Sequence, residues 1–214
     1  MSDTRPAIIV DFFADLSCPW CYVGWESLKA AAASRRDTAS FSLAWRTFML
    51  SPDAPPEGYD RKDYLAARLD PARLRAANEA LKAAANAAGA ELNIDAATRI
   101  PSTVNAHRVV HWAASYGLAE AMIDTLFRAN FVDGLDIGDT NVLVAAAESK
   151  GLDPNEVRTR LATDEDKKLI RDFHIAAARL GIQGVPVAIF NRKHPVMGAE
   201  SVEGYARAID AALA

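Results

Sequence analysis

The stretch AIIVDFFADLSCPWCYVG, Ala7 to Gly24, decides the fold. Ala7 to Ala14 is a mostly continuous apolar run with β-branched and aromatic members, the pattern of a strand buried on both faces. The chain's two cysteines follow as Cys18 and Cys21. Beyond them Trp25, Leu28 and Ala32 recur at helical spacing, which predicts a helix from Pro19 to about Ser34. Pro19 then stands in the first turn, where its missing N–H costs nothing. Phe41, Leu43 and Trp45 alternate with polar or small residues up to Thr47, a second strand. The chain therefore opens as βαβ, with Cys-x-x-Cys at the strand-to-helix junction.

Such a pair can be a metal clip, a structural disulfide or a redox centre. The 214 residues carry a formal net charge of −4, with half of them hydrophobic and a quarter charged. That is ordinary globular composition. The acidic balance argues against nucleic acid as a partner, because phosphate binding needs a basic face. No apolar stretch approaches the roughly 20 residues that span a bilayer, so no membrane is expected. The short N-terminal apolar run contains Asp11 and leads into the cysteines rather than a cleavage site, so it reads as a strand and not a signal peptide. A soluble, cytoplasmic protein is the expectation. In a reducing compartment a staple across so short a loop would neither persist nor contribute much. Two cysteines alone cannot complete a tetrahedral zinc site. His107, His111, His174 and His194 are the available nitrogen donors, and HRVVH (His107–His111) lacks the glutamate of a metalloprotease helix. No metal ligands are therefore expected, and hydrogen-bonded packing is the expected role of the histidines.

From about Pro52 the texture changes. SPDAPPEGYD reads as a loop, and punctuated helices follow. Asp70-Pro71, Asp139 and Asp153-Pro154 supply N-caps, while Gly89, Gly117, Gly151 and Gly181 supply stops. Further helices are expected to open at Ser102, over Leu118–Val132, and at Asp164, the last with Leu169, Phe173, Ala177 and Leu180 as its stripe. The period then reverts. Val185 to Asn191 is a strand with a proline near its start, His194 to Gly198 its hairpin partner, and Ser201 to Leu213 a final amphipathic helix. With its middle removed, the chain reads βαβ, a helix, then ββα. That is a thioredoxin arrangement, an α/β fold with a large all-helical insertion. The expected division is residues 1–55 with 163–214 as a discontinuous thioredoxin-like domain, and 56–162 as the insertion.

Placed at a helix start, Cys18 meets unpaired N–H groups and the positive dipole end, which favour a thiolate. Thiol–disulfide exchange needs that thiolate, so Cys18 is assigned as the nucleophile and Cys21, about one turn in, as the resolving thiol. Pro19 stiffens the turn, and Trp20 adds a bulky apolar flank without a cation. Gly184-Val185-Pro186 sits where the thioredoxin topology places a cis-proline beside the cysteines. Pro186 in that form would leave the backbone of Val185 open to an extended substrate strand.

Four segments together, VDFFADLSCPWCYVG, NAHRVVHWA, LFRANFVDGLDIGD and LGIQGVPVAIFNRKHPVMGAES, resemble the DsbA-like thioredoxin-fold proteins of the FrnE type. The resemblance spans almost the whole chain in order. It implies a cytoplasmic thiol-disulfide oxidoreductase or isomerase with Cys18, Cys21 and Pro186 at its centre. The partners would be protein or small thiols, as monomer or homodimer, and no cofactor would be bound beyond the cysteine pair, with glutathione a candidate co-substrate. A sister group, the glutathione-dependent chromene-carboxylate isomerases and kappa-type transferases, is similar at NAHR. It has a serine where Cys18 stands, and it implies Asn105 and His107 as substrate-side candidates. A glutathione-dependent isomerase or transferase acting on an aromatic or polyketide-like small molecule is thus the alternative enzyme, and a redox-switched chaperone or binding module the non-enzymatic one.

Overall fold

The computed structural model describes residues 5–214. Residues 1–4, where the expected 1–55 segment begins, lie outside them. β1 (Ala7–Ala14), α1 (Pro19–Ser34) and β2 (Ser40–Thr47) form the expected βαβ unit. A middle region follows with β3 (Tyr59–Asp60), α2 (Arg61–Ala66), α3 (Pro71–Ala87) and β4 (Arg99–Ile100). It continues through α4 (Val104–Ala114), α5 (Ala119–Phe131), α6 (Thr140–Ser149) and α7 (Pro154–Leu161). The chain closes with α8 (Lys167–Arg179), β5 (Val187–Phe190), β6 (His194–Met197) and α9 (Val202–Leu213).

The main sheet has the order β2-β1-β5-β6, with β1 parallel to β2 and antiparallel to β5, and β5 antiparallel to β6. This is the thioredoxin fold with a helical region inserted between β2 and α8. The insertion is not wholly helical: Tyr59 and Asp60 pair with Ile100 and Arg99 in a short antiparallel ladder. Two-residue strands leave no periodic signal in a sequence.

Alternation along β1 sends successive side chains to opposite faces. Ile8, Val10, Phe12 and Ala14 join Trp25 and Leu28 of α1 and Tyr205 and Ile209 of α9 in the large core. Phe13 faces the other way, onto Val187, Ala177 of α8, Ile182 and Phe48. Burying a side chain such as Phe12 contributes about 2–3 kcal/mol. The core continues into the inserted helices through α1, because Tyr22 packs on Phe127 at 5.5 Å and on Phe131 at 5.8 Å. Trp25 donates from Nε1 to Asp124 of α5 at 2.6 Å.

Asp70, Asp139 and Asp153 cap their helices as their sequence positions predict. Two helix starts differ from expectation. α4 begins at Val104, and its N-cap Thr103 makes no capping bond. α8 begins at Lys167, because Asp166 has a left-handed backbone, φ 59°, that breaks a helical run from Asp164. The Asp166 carboxylate accepts from Trp112 Nε1 at 2.9 Å. β5 likewise starts two residues late, at Val187.

Arg108 of α4 is buried and closes the end of α7. Its guanidinium donates to the carbonyls of Arg160 at 2.7 Å, Thr163 at 3.1 Å and Leu161 at 3.5 Å, and to Asn105 Oδ1 at 2.8 Å. Arg108→Met keeps much of the volume and removes every donor. The expected loss is about 1–3 kcal/mol, read from urea unfolding, because the hydrogen bonds of a charged donor are lost, although Arg160 O keeps the Thr163 N–H and hydroxyl.

Candidate active site

The site is built where β1 ends and α1 begins. Cys18 is the N-cap residue of α1, in extended conformation, with Pro19 next in the first turn. The N–H of Cys21, one turn on, donates to Cys18 Sγ at 3.2 Å. Both cysteines are free thiols. Cys18 retains a trace of exposure, 4 %, and Cys21 has none. Only the first can be met from outside.

The peptide bond between Val185 and Pro186 is cis. Cys18 Sγ lies 3.9 Å from the carbonyl oxygen of Val185, a residue 167 positions away in sequence. Pro186 itself accepts from Gly198 N–H of the β6 exit at 2.8 Å. The structure thus brings Cys18, Cys21, Val185 and Pro186 together, with half-buried Pro19 and Trp20 flanking them. The Cys21 thiol is pushed well above the usual range. Burial is the main cause, and the neighbouring Cys18 sulfur adds to it.

Gly24 lets α1 come this close. A Cβ there would sit 3.2 Å from Cγ of Pro186 and 3.2 Å from Oη of Tyr205. Tyr205 is fully buried, and its hydroxyl is held toward Gly198 O at 3.4 Å, so neither neighbour yields easily. Gly24→Val is expected to lower stability by about 1–3 kcal/mol through overpacking. Chemical denaturation checks this, and a variant as stable as the parent would mean the contact has slack.

Asp15 escaped the sequence reading. It is buried beside the cysteines and its carbonyl accepts from Cys18 N–H at 3.1 Å. Its carboxylate accepts from Leu50 N–H at 2.7 Å and from the Ser17 hydroxyl at 3.0 Å. It also lies 3.5 Å from Nε2 of the equally buried His107. Burial pushes the Asp15 carboxyl up, but the adjoining His107 imidazole, the Leu50 N–H and the Thr103 side chain hold it below the ordinary value. His107 Nδ1 receives Trp45 Nε1–H at 3.4 Å. A third polar contact completes the surround: His174 Nδ1 accepts from Met49 N–H at 3.2 Å. Burial lowers the His174 pKa, against an opposing pull from Asp15.

Asn105 and His107, read as substrate-side candidates, part company. His107 lies inside, behind Asp15, while Asn105 is turned to Arg108 and the α7 end. Among the described residues, no three His, Cys, Asp or Glu side chains converge as a metal-ligand set. No helix among them is long and apolar enough to cross a membrane.

Known proteins share this fold. The family described as DSBA-like thioredoxin domain matches residues 9–210. A probable DsbA oxidoreductase from Streptomyces coelicolor is 31% identical, with a TM-score of 0.85 over 96% of this chain and 90% of that one. A 2-hydroxychromene-2-carboxylate isomerase superposes with a TM-score of 0.71 at 17% identity, over 96% of this chain and 99% of that one. The cytosolic disulfide reductase DsbM from Pseudomonas aeruginosa, solved with GSH, gives 0.62 at 21% identity over 96% of each chain. The last two likenesses are of fold.

Proposed function

Because the chain belongs to the DSBA-like thioredoxin domain family, we propose that its Cys18–Cys21 pair exchanges disulfides with protein or small thiols. The observation that carries this reading is the hydrogen bond from Cys21 N–H to Cys18 Sγ, with the Val185 carbonyl on the sulfur's other side. Cys18, as thiolate, attacks one sulfur of a substrate disulfide. The other substrate sulfur leaves and takes a proton, giving a mixed disulfide. Cys21 then loses its proton and attacks Cys18, which forms the internal disulfide and frees the substrate as a dithiol. Two electrons have passed to the substrate. Run backwards, the same steps oxidise a dithiol, and stopped midway they reshuffle one.

Val185 offers its backbone to an extended segment of the disulfide substrate, and Trp20 offers an apolar flank. The finer assignment, a FrnE-type oxidoreductase or isomerase acting in the cytoplasm, rests on the four sequence segments that carry the resemblance. The pair carries the electrons itself, so no bound metal or nucleotide is required. Glutathione is the small thiol to try as co-substrate. A resolving thiol directly behind Cys18 favours redox turnover over glutathione-dependent isomerisation, which has no use for it.

The direct test is insulin reduction with dithiothreitol or glutathione, run beside refolding of reduced ribonuclease in a glutathione buffer. Acceleration of either, in proportion to protein, supports the proposal. No acceleration of either by the fully reduced or the fully oxidised protein sinks it.

A further inference from the structure

The face of the sheet opposite α1 is incompletely covered, and the gap is shaped. α4 presents His107, Val110, His111 and Ala114 to it, and α8 presents Phe173, Ala176, Ala177 and Leu180. Both sets run i, i+3, i+4, i+7, the stripe by which a helix normally buries itself. The sequence predicts α8 to do so. Instead only Ile170 and Ala177 of α8 are buried, while Phe173 is 41% and Leu180, just past its end, 72% exposed. The stripes stand apart over a cleft of about 730 Å³, floored by Phe13, Ala44 and Ile189 of the sheet. Alanines on both helices keep it open, and the ring of Phe173 meets His111 edge-on at 6.0 Å across it. None of Cys18, Cys21, Val185 and Pro186 lines it.

Its charge is lopsided. Arg46 and Arg192 stand at the cleft with a single carboxylate, Asp11. Asp11 is taken by Arg46, whose Nε donates to it at 2.7 Å. Arg192 sits at a left-handed position in the β5–β6 turn, φ 59°, and has no carboxylate partner among the described residues. An apolar hollow of small-molecule size with one uncompensated guanidinium is complementary to an apolar body ending in one anionic group. We propose that this cleft binds an apolar monocarboxylate, its body between α4 and α8 and its carboxylate on Arg192. The site is separate from the cysteine pair, and its test reads binding alone.

Calorimetric titration of the reduced protein with octanoate and 2-naphthoate, beside octanamide and 2-naphthamide, decides it. At least one acid is expected to saturate a single site and to bind about tenfold more tightly than its amide, the scale of one charge-assisted pair. The tighter acid identifies an alkyl or an aryl body. Arg192→Gln is expected to bring acid and amide level. Ala176→Leu, on the exposed side of α8, is expected to narrow the hollow and weaken binding while leaving insulin reduction and the circular dichroism unchanged. If that variant misfolds, Ala114→Leu narrows the cleft from α4. Absence of saturable binding, an amide as tight as its acid, or binding indifferent to Arg192→Gln or to the leucine variants overturns the proposal.

Discussion

Cys18→Ser is expected to bring insulin reduction down to the uncatalysed background. The fall should be on the order of a thousandfold or more, the scale on which loss of an enzyme's nucleophile acts. Cys21→Ser is expected to behave differently. It keeps the attacking sulfur and its place beside the Val185 carbonyl, but it has no second thiol to release the substrate. A mixed disulfide should therefore accumulate, visible by non-reducing electrophoresis and intact mass, and yield free thiol again on adding dithiothreitol. Burial dictates the asymmetry. Cys21 has no exposed surface, so a substrate disulfide meets Cys18 first. Were Cys18→Ser as active as the parent, or were the mixed disulfide to form in Cys18→Ser rather than in Cys21→Ser, the assigned roles would be wrong.

Much of this centre was legible because its parts announce themselves locally. The apolar run Ala7–Ala14, the proline after Cys18 and the periodicity from Trp25 onward each follow from the conformation of a few neighbouring residues. The register of the two thioredoxin halves then follows from element order, which places Val185, 167 positions from Cys18, opposite the cysteines without any long-range signal. Asp15 was not legible for the opposite reason. A lone acid after an apolar run reads as a strand end, and what makes it special comes from Leu50, Thr103 and His107, on other elements. The start of α8 shifted because Asp166 takes a left-handed backbone, with its carboxylate held by Trp112 from another helix. α8 shows the converse failure. Its stripe is clear in the sequence, yet periodicity says only that a face is apolar, not whether anything packs on it. Where a side chain's fate is settled by a distant partner, local pattern is silent.

Asp15 therefore carries the other large effect. Asp15→Ala removes a buried carboxylate that serves Leu50 N–H, Ser17 and Thr103 and faces His107, leaving those donors without a partner. Leaving a buried donor without its partner costs about 1–3 kcal/mol apiece. Asp15→Asn keeps an acceptor oxygen for Leu50 and the Ser17 hydroxyl and loses the charge and the second acceptor, so it should cost distinctly less. The pH dependence separates charge from packing. The folded-state pKa of Asp15 lies below its ordinary value, so its ionised form stabilises the fold fully above that ordinary value, about 4. That contribution is lost as pH falls through the lower, folded pKa. Between neutrality and acid, the stability gap between parent and Asp15→Asn should therefore narrow, most steeply below pH ~4. The Cys21 thiol supplies a second readout. Burial and the Cys18 sulfur hold it high, and the Asp15 charge adds to both, so Asp15→Asn should move its titration downward, measured by the shift of a carbon-13 label at Cys21 Cβ. A constant stability gap across the acid range, or an upward move of Cys21, would show that the Asp15 charge is not what couples the interior to the cysteine pair.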